Sequence, residues 1–231
     1  MPQNPSVQKW LKQLPRQSLV FLDIDSTLVT THQRNQAIIK AFCKAMEAKW
    51  PEDCQRLSQA HCQLGDYGYY SALDRLKFSS QDPQFLQDLA EFWRKNFFSN
   101  HYLDKDEPYA GAVEFVHRLI KDGHQTLYLT GRHKKAMWEG TLETMKKLGF
   151  PISEDILILK PQVEQKDEIY KSEAVAKHKQ RPASSIWLID NEPLILHQMM
   201  EDHPEVELIF FKSCHSQKKP EPEHLLTIDH F

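Results

Sequence analysis

The sequence has no long apolar run, no surplus of charge of either sign and no paired cysteines, and each absence removes a class of protein. A membrane-spanning helix needs about 20 consecutive apolar residues, and none is present, so no membrane partner is expected. The opening residues MPQNPSVQKWLKQLPRQ alternate polar with apolar side chains, and the expectation is a chain without an export signal. Against 32 acidic side chains stand 29 basic ones, which leaves no positive surplus to follow a nucleic-acid backbone. A phosphorylated ligand would need only a local basic patch. Cys43, Cys54, Cys62 and Cys214 form no C-x-x-C pair, and reduced thiols in a cytoplasmic protein fit that usage best. A zinc module on Cys54, His61 and Cys62 has only nearness in sequence in its favour, without the spacing of paired ligands. Repeats, heptads and low-complexity tracts are also lacking.

What remains is a chain of 231 residues, long enough for one core with an inserted subdomain or for two small domains. Val7, Trp10, Leu11 and Leu14 fall at helical spacing near the start. Five short apolar runs read as buried strands: 19–22, 126–129, 156–159, 186–189 and 206–211. Helical patterns separate the later ones at 112–121, 134–148 and 167–177, the first two closing at Gly123 and Gly149. Strand and helix in alternation predict an α/β fold, a parallel sheet with helices on both faces and ligands beyond the carboxyl ends of the strands. Residues 35–106 break the rhythm with amphipathic windows such as AIIKAFCKAMEAKW and QFLQDLAEFWRKNFF, and read as an inserted helical subdomain. Its aromatic residues Trp50, Tyr69, Tyr70, Phe85, Phe92 and Trp93 are expected to form the core of that bundle.

Chemistry collects at the strand ends. Asp23 and Asp25, two residues apart, leave the first strand on the same side, and such close negative charges call for a bound cation or a shared proton. A structural Asp/Ser turn gives the same string. At the next strand end Thr130 and Gly131 offer a hydroxyl and an approachable N–H to an anionic oxygen, or cap the following helix. Asp190 closes a buried strand, where a carboxylate is costly without a cation or donors. A metal shared with Asp23 or a plain N-cap before Pro193 would satisfy it. Lys171, early in a helix whose dipole disfavours a cation, invites an anionic partner, with Lys166 and Lys160 as competitors.

In this order the D-x-D-x-T string at 23–27, the strand ending in Thr130, a lysine and the acidic end of a later strand resemble the haloacid dehalogenase (HAD) superfamily. PYAGAVEFVHRLIKDGHQTLYLTGR adds to the likeness. The resemblance covers 18–40 and 108–212 and implies a Rossmann-like core over 1–34 and 107–231, with 35–106 as a helical cap of the C1 type. It further implies Asp23 as nucleophile and Asp25 as general acid and base. Thr130, Gly131 and Lys171 would hold the phosphoryl group. Asp23, the Asp25 backbone carbonyl and Asp190 would hold Mg²⁺, with Thr27 in support. Asn191 and Glu192 depart from the family's commonest acidic motif. Asn191 would bond Lys171 or a metal-bound water, and Glu192 would be a first-turn charge.

The expectation is therefore a phosphatase acting on a small phosphorylated metabolite, with a phosphomutase, a protein phosphatase or a non-catalytic binding module as alternatives. An acid at Asp25 favours phosphoryl transfer over dehalogenation. To donate a proton near neutrality its pKa has to rise above the usual value of about 3.9. The 107 positions from Asp23 to Thr130 (130 − 23) exceed what a strand and helix require, so something has to lie over the site. His32 and Arg34 read as solvated hinge residues, or as a reach towards a second anionic group of the substrate.

Overall fold

The computed structural model describes residues 5–231. Residues 1–4, at the head of the core segment expected over 1–34 and of the stretch read for an export signal, lie outside them. In chain order the elements are α1 (Pro5–Gln13), β1 (Leu19–Leu22), β2 (Val29–Thr30), α2 (His32–Met46), α3 (Pro51–Leu57), α4 (Tyr70–Leu76), α5 (Pro83–Phe97) and β3 (Glu107–Pro108). There follow α6 (Ala112–Lys121), β4 (Gln125–His133), α7 (Lys134–Lys147), β5 (Leu157–Lys160), α8 (Asp167–His178), β6 (Ile186–Asp190), α9 (Pro193–Asp202), β7 (Glu207–Phe211) and β8 (Leu226–Ile228).

Six strands form one sheet in the order β5-β4-β1-β6-β7-β8, and every pairing in it is parallel. Side chains alternate across β1. Val20 and Leu22 join a core with α1, α6 and α7, while Leu19 and Phe21 join a second core with α8 and α9. Both faces of the strand are covered, which is why all four of its residues are apolar and buried. From β1 the chain reaches β4 on one side and, after β5, crosses to β6 on the other. That reversal around β1 makes a crevice at the carboxyl ends of β4, β1 and β6.

Between β2 and β3, which pair with each other as a short antiparallel neck, α2 to α5 pack around a core of their own. Ile39 and Phe42 of α2 meet Phe85 and Leu89 of α5, with Cys54 and Leu57 of α3 and Tyr69 at the head of α4. Pro83 opens α5 at a position that needs no N–H, and Asp82 caps it by accepting the Gln84 N–H at 2.9 Å. Cys43 and Cys54 are buried among these apolar side chains and Cys62 packs against them, so the thiols serve packing. Among the described residues no helix is long and apolar enough to cross a membrane.

Candidate active site

Asp23 follows β1, Thr130 lies in the carboxyl-terminal half of β4 and Asp190 ends β6, and since these strands are adjacent the sheet brings the three to one edge. Beyond Asp23 the chain turns sharply. Ser26 sits at φ 62° in the left-handed region, and its N–H bonds the Val29 carbonyl at 2.7 Å. A non-glycine residue there carries strain on the order of 1 kcal/mol, placed between Asp25 and Thr27.

Lys171, on α8, projects under this edge. Its ammonium donates to Asp23 Oδ1 and to Asp190 Oδ2, each at 2.6 Å. The other Asp23 oxygen accepts the Thr27 hydroxyl at 2.8 Å, and Asp190 Oδ1 accepts the Glu192 N–H at 2.9 Å. All three charged groups are buried. Burial pushes the Asp23 carboxyl up to about 7, Lys171 pulling it down and Asp190 pushing it up again. Asp190 is raised chiefly by burial, against the pull of Lys171. Two carboxylates against one ammonium leave a negative charge over. Lys166 is exposed at the N-cap of α8, and Lys160 is tied to Asp167 Oδ1 at 2.6 Å, so Lys171 is the lysine among them that meets the carboxylates.

Asp25 is held differently. Its Oδ1 accepts from Arg34 Nη2 at 2.6 Å and Arg132 Nη2 at 2.7 Å, and its Oδ2 accepts Arg132 Nε at 2.9 Å. Burial raises this carboxyl, but Arg132 and then Arg34 outweigh it and leave it well below the usual carboxylate range. The upward shift expected from the sequence is thus reversed, because the contact of either arginine with Asp25 does not show in a reading of neighbours along the chain. Arg34 is likewise no solvated hinge residue. It is wholly buried, its guanidinium 4.6 Å from the centre of the Phe97 ring and bonded through Nε to Asp106 at 2.7 Å.

Thr130 is buried within β4, which runs on to His133, so it does not cap α7. The register with β5 shifts between Thr130 and His133. At Gly131 an added Cβ would come 2.9 Å from Asp167 Oδ2, so a larger residue there would have to push the Asp167 carboxylate aside. Asn191 makes no bond to Lys171. Its Oδ1 faces the Thr27 hydroxyl at 3.2 Å, and its Nδ2 donates to the Cys214 carbonyl. Glu192 is the N-cap of α9 and also accepts the Ser216 N–H at 2.9 Å and hydroxyl at 2.8 Å. Asn191 and Glu192 therefore fasten the 213–216 segment beside the site. Arg132 and Asp106 were missed from the sequence. An arginine at the end of a buried strand needs an anion, which was a usable signal, whereas Asp106 carried none.

Above the carboxylates a cavity of about 610 Å³ is lined on the sheet side by Asp23, Asp25, Thr130, Gly131, Arg132, Lys171 and Asp190. The helical insert supplies Tyr67, Tyr70, Trp93, Phe97 and Phe98 to the same cavity. Trp50, Tyr69 and Phe85 are core residues as expected, but Tyr70 is 51% exposed, so part of the insert's aromatic set faces the cavity. Carboxylates, a buried ammonium, a hydroxyl and a freely approached N–H around one space can hold and attack a phosphoryl group.

A profile of the HAD superfamily, subfamily IIIB (acid phosphatase), matches residues 72–189, a little over half of the chain. Asp23, Asp25 and Asp190 lie outside the matched span. No curated protein matches the sequence. Among solved structures, a candidate phosphatase from Clostridium difficile is similar at 14% identity and a TM-score of 0.55, covering 89% of this chain and 90% of its own. A HAD-superfamily hydrolase from Ehrlichia chaffeensis is similar at 11% identity and 0.54, covering 94% of each. A haloacid dehalogenase-like hydrolase from Streptococcus pneumoniae follows at 11% and 0.51, with 87% and 88% covered. At such identities these three speak for the fold alone. With that fold, and with the profile matching over half of the chain, the chain belongs to the HAD superfamily, subfamily IIIB, and is a phosphohydrolase of its acid phosphatase branch.

Proposed function

We propose that this phosphohydrolase is a Mg²⁺-dependent phosphatase that hydrolyses a phosphate monoester of a small metabolite, with Asp23 as its nucleophile. One observation carries the reading: two buried carboxylates, Asp23 and Asp190, share a single ammonium at adjacent strand ends beneath a cavity. The surplus negative charge and the hard oxygen donors fit a divalent cation. Mg²⁺ takes one or two carboxylates and keeps its remaining positions for water and phosphate. Asp23, Asp190 and the Asp25 carbonyl would hold it, and when bound it neutralises charge on the phosphoryl oxygens.

Asp23 attacks phosphorus in line, the bond from phosphorus to the ester oxygen breaks, and Asp25 passes a proton to the departing oxygen. Asp25 then takes a proton from water, whose oxygen attacks the phosphoryl group on Asp23 and frees the carboxylate. The two arginines favour the carboxylate form of Asp25 that the second half requires. The negative phosphoryl group raises its proton affinity for the first. Lys171, Thr130 and the Gly131 N–H hold the phosphoryl oxygens.

In this reading residues 35–106 act as a cap over the core of 1–34 and 107–231. Their aromatic side chains leave room for a small organic group and stand against a large folded protein as substrate. Hydrolysis of p-nitrophenyl phosphate tests the proposal. It is expected to require Mg²⁺, to stop with EDTA and to fall by at least about 10⁴-fold in Asp23→Asn. Full activity in that variant refutes the nucleophile, and a wild-type protein inert with every divalent metal turns the reading to a binding module.

A further inference from the structure

Among the described residues the Asp25 carboxylate takes its side-chain hydrogen bonds from arginines alone: all three come from Arg34 and Arg132. Its setting therefore depends on what fixes those arginines. Arg132 donates through Nη2 to Asp106 at 2.7 Å and through Nη1 to the Thr141 hydroxyl at 3.2 Å. Arg34 donates to Asp106 through both Nε and Nη2. Two cations and two carboxylates thus close one network, of which Arg34, Arg132 and Asp106 are each at most 2% exposed.

Its members come from distant parts of the chain. Arg34 lies in the first turn of α2, just beyond β2, and Asp106 immediately precedes β3. Since β2 and β3 pair as the neck of the helical insert, these two residues stand where the chain enters the insert and where it returns. Asp106 does not line the cavity and makes no hydrogen bond to Asp25, yet it supports both groups that hold Asp25. Were Asp106 removed, two guanidinium groups that meet on one Asp25 oxygen would share a single carboxylate, and like charges so placed would separate.

We propose that Arg34 and Asp106 are positioning residues for hydrolysis: from the two ends of the insert's neck they set the Asp25 carboxylate, with Arg132, in the orientation from which it serves the leaving oxygen. The proposal rests on the reading of Asp25 as the group that protonates that oxygen. A working acid has to be held to within roughly half an ångström and 10–20°. Arginine supplies this because its planar fork fixes direction as well as charge. The network also ties the placement of the insert to the placement of Asp25, so a substrate that seats the helices seats the acid with them.

The test compares Asp106→Asn, Arg34→Gln and the charge-balanced double variant on two substrates. An alkyl phosphate needs its leaving oxygen protonated, whereas p-nitrophenyl phosphate hardly does. Loss of a positioned acid costs about 10²–10⁴-fold. Each single variant is expected to lose on the order of 10²-fold in kcat on the alkyl ester, and at least tenfold less on the aryl ester, with KM moved less than about threefold. The double variant should recover thermal stability but keep the selective loss. Equal losses on both substrates, tracking stability and recovered in the double variant, would overturn the proposal. Asp25→Asn is the control for the underlying reading: a loss there that ignores the leaving group refutes Asp25 as acid. The positioning claim is then decided by the crystal structure of Asp106→Asn, where a displaced Asp25 carboxylate supports it and an unmoved one refutes it, whatever the turnover.

Discussion

Two aspartates two residues apart live in opposite electrostatic settings. Asp23 shares one lysine with Asp190, and the trio keeps a surplus negative charge in a buried place. Asp25 faces two arginines whose second partner is Asp106, and those four charges balance. The first cluster is drawn from the ends of core strands and one helix behind them, the second from the core and both ends of the neck. An incomplete cluster stores unfavourable charge that a ligand can relieve, whereas a complete one fixes geometry. The same sheet edge thus carries a binding device and a holding device side by side, and the chain bears the stability cost of the former.

The strongest way to break this contrast is to take the lysine away. Lys171→Met is expected to lower hydrolysis by about 10³–10⁴-fold, since two carboxylates and a phosphoryl group would then meet with too little positive charge. Lys166→Ala, exposed at the helix start, should stay within about threefold of wild type. Steady-state kinetics on the pair checks this, and a larger loss at Lys166 would move the motif lysine. Next in size is a stability comparison in EDTA. Asp106→Asn opens a balanced buried network and should cost about 3–5 kcal/mol in urea unfolding. Asp190→Asn removes a surplus charge and should cost nothing, or stabilise the metal-free protein by about 1 kcal/mol. Equal destabilisation by both would erase the distinction between the clusters. The smallest effect belongs to the cavity wall: Tyr70→Ala is expected to raise KM by about five- to tenfold, roughly 1–1.4 kcal/mol, with kcat little changed.

The strands and helices of the core were legible because apolar runs and helical spacing record burial directly. The expected helix at 112–121 is α6, and the run at 186–189 ends one residue short of β6. The neck strands β2 and β3, two residues each, are too short for any periodicity to register. β8 is exposed at two of its three residues and carries no apolar run. At the site, Asp23, Thr130 and Asp190 could be found because each directly follows an apolar run. What could not be read was the partner of each charge. Asp25 meets Arg132 from 107 residues away, and Arg34 meets Asp106 across 72, so the direction of the Asp25 shift was expected with the wrong sign. The aromatic residues of the insert were read as core throughout, because spacing along a helix does not tell a face turned to a neighbour from one turned to a cavity.

The central claim, attack by Asp23 on phosphorus, is tested most directly by a crystal structure of the protein with Mg²⁺ and beryllium fluoride, which mimics a phosphoryl group on a carboxylate. The account predicts trifluoroberyllate bonded to one Asp23 oxygen, within reach of Lys171 and Thr130. A fluoride complex seated on another side chain, with the Asp23 carboxylate free, would contradict it.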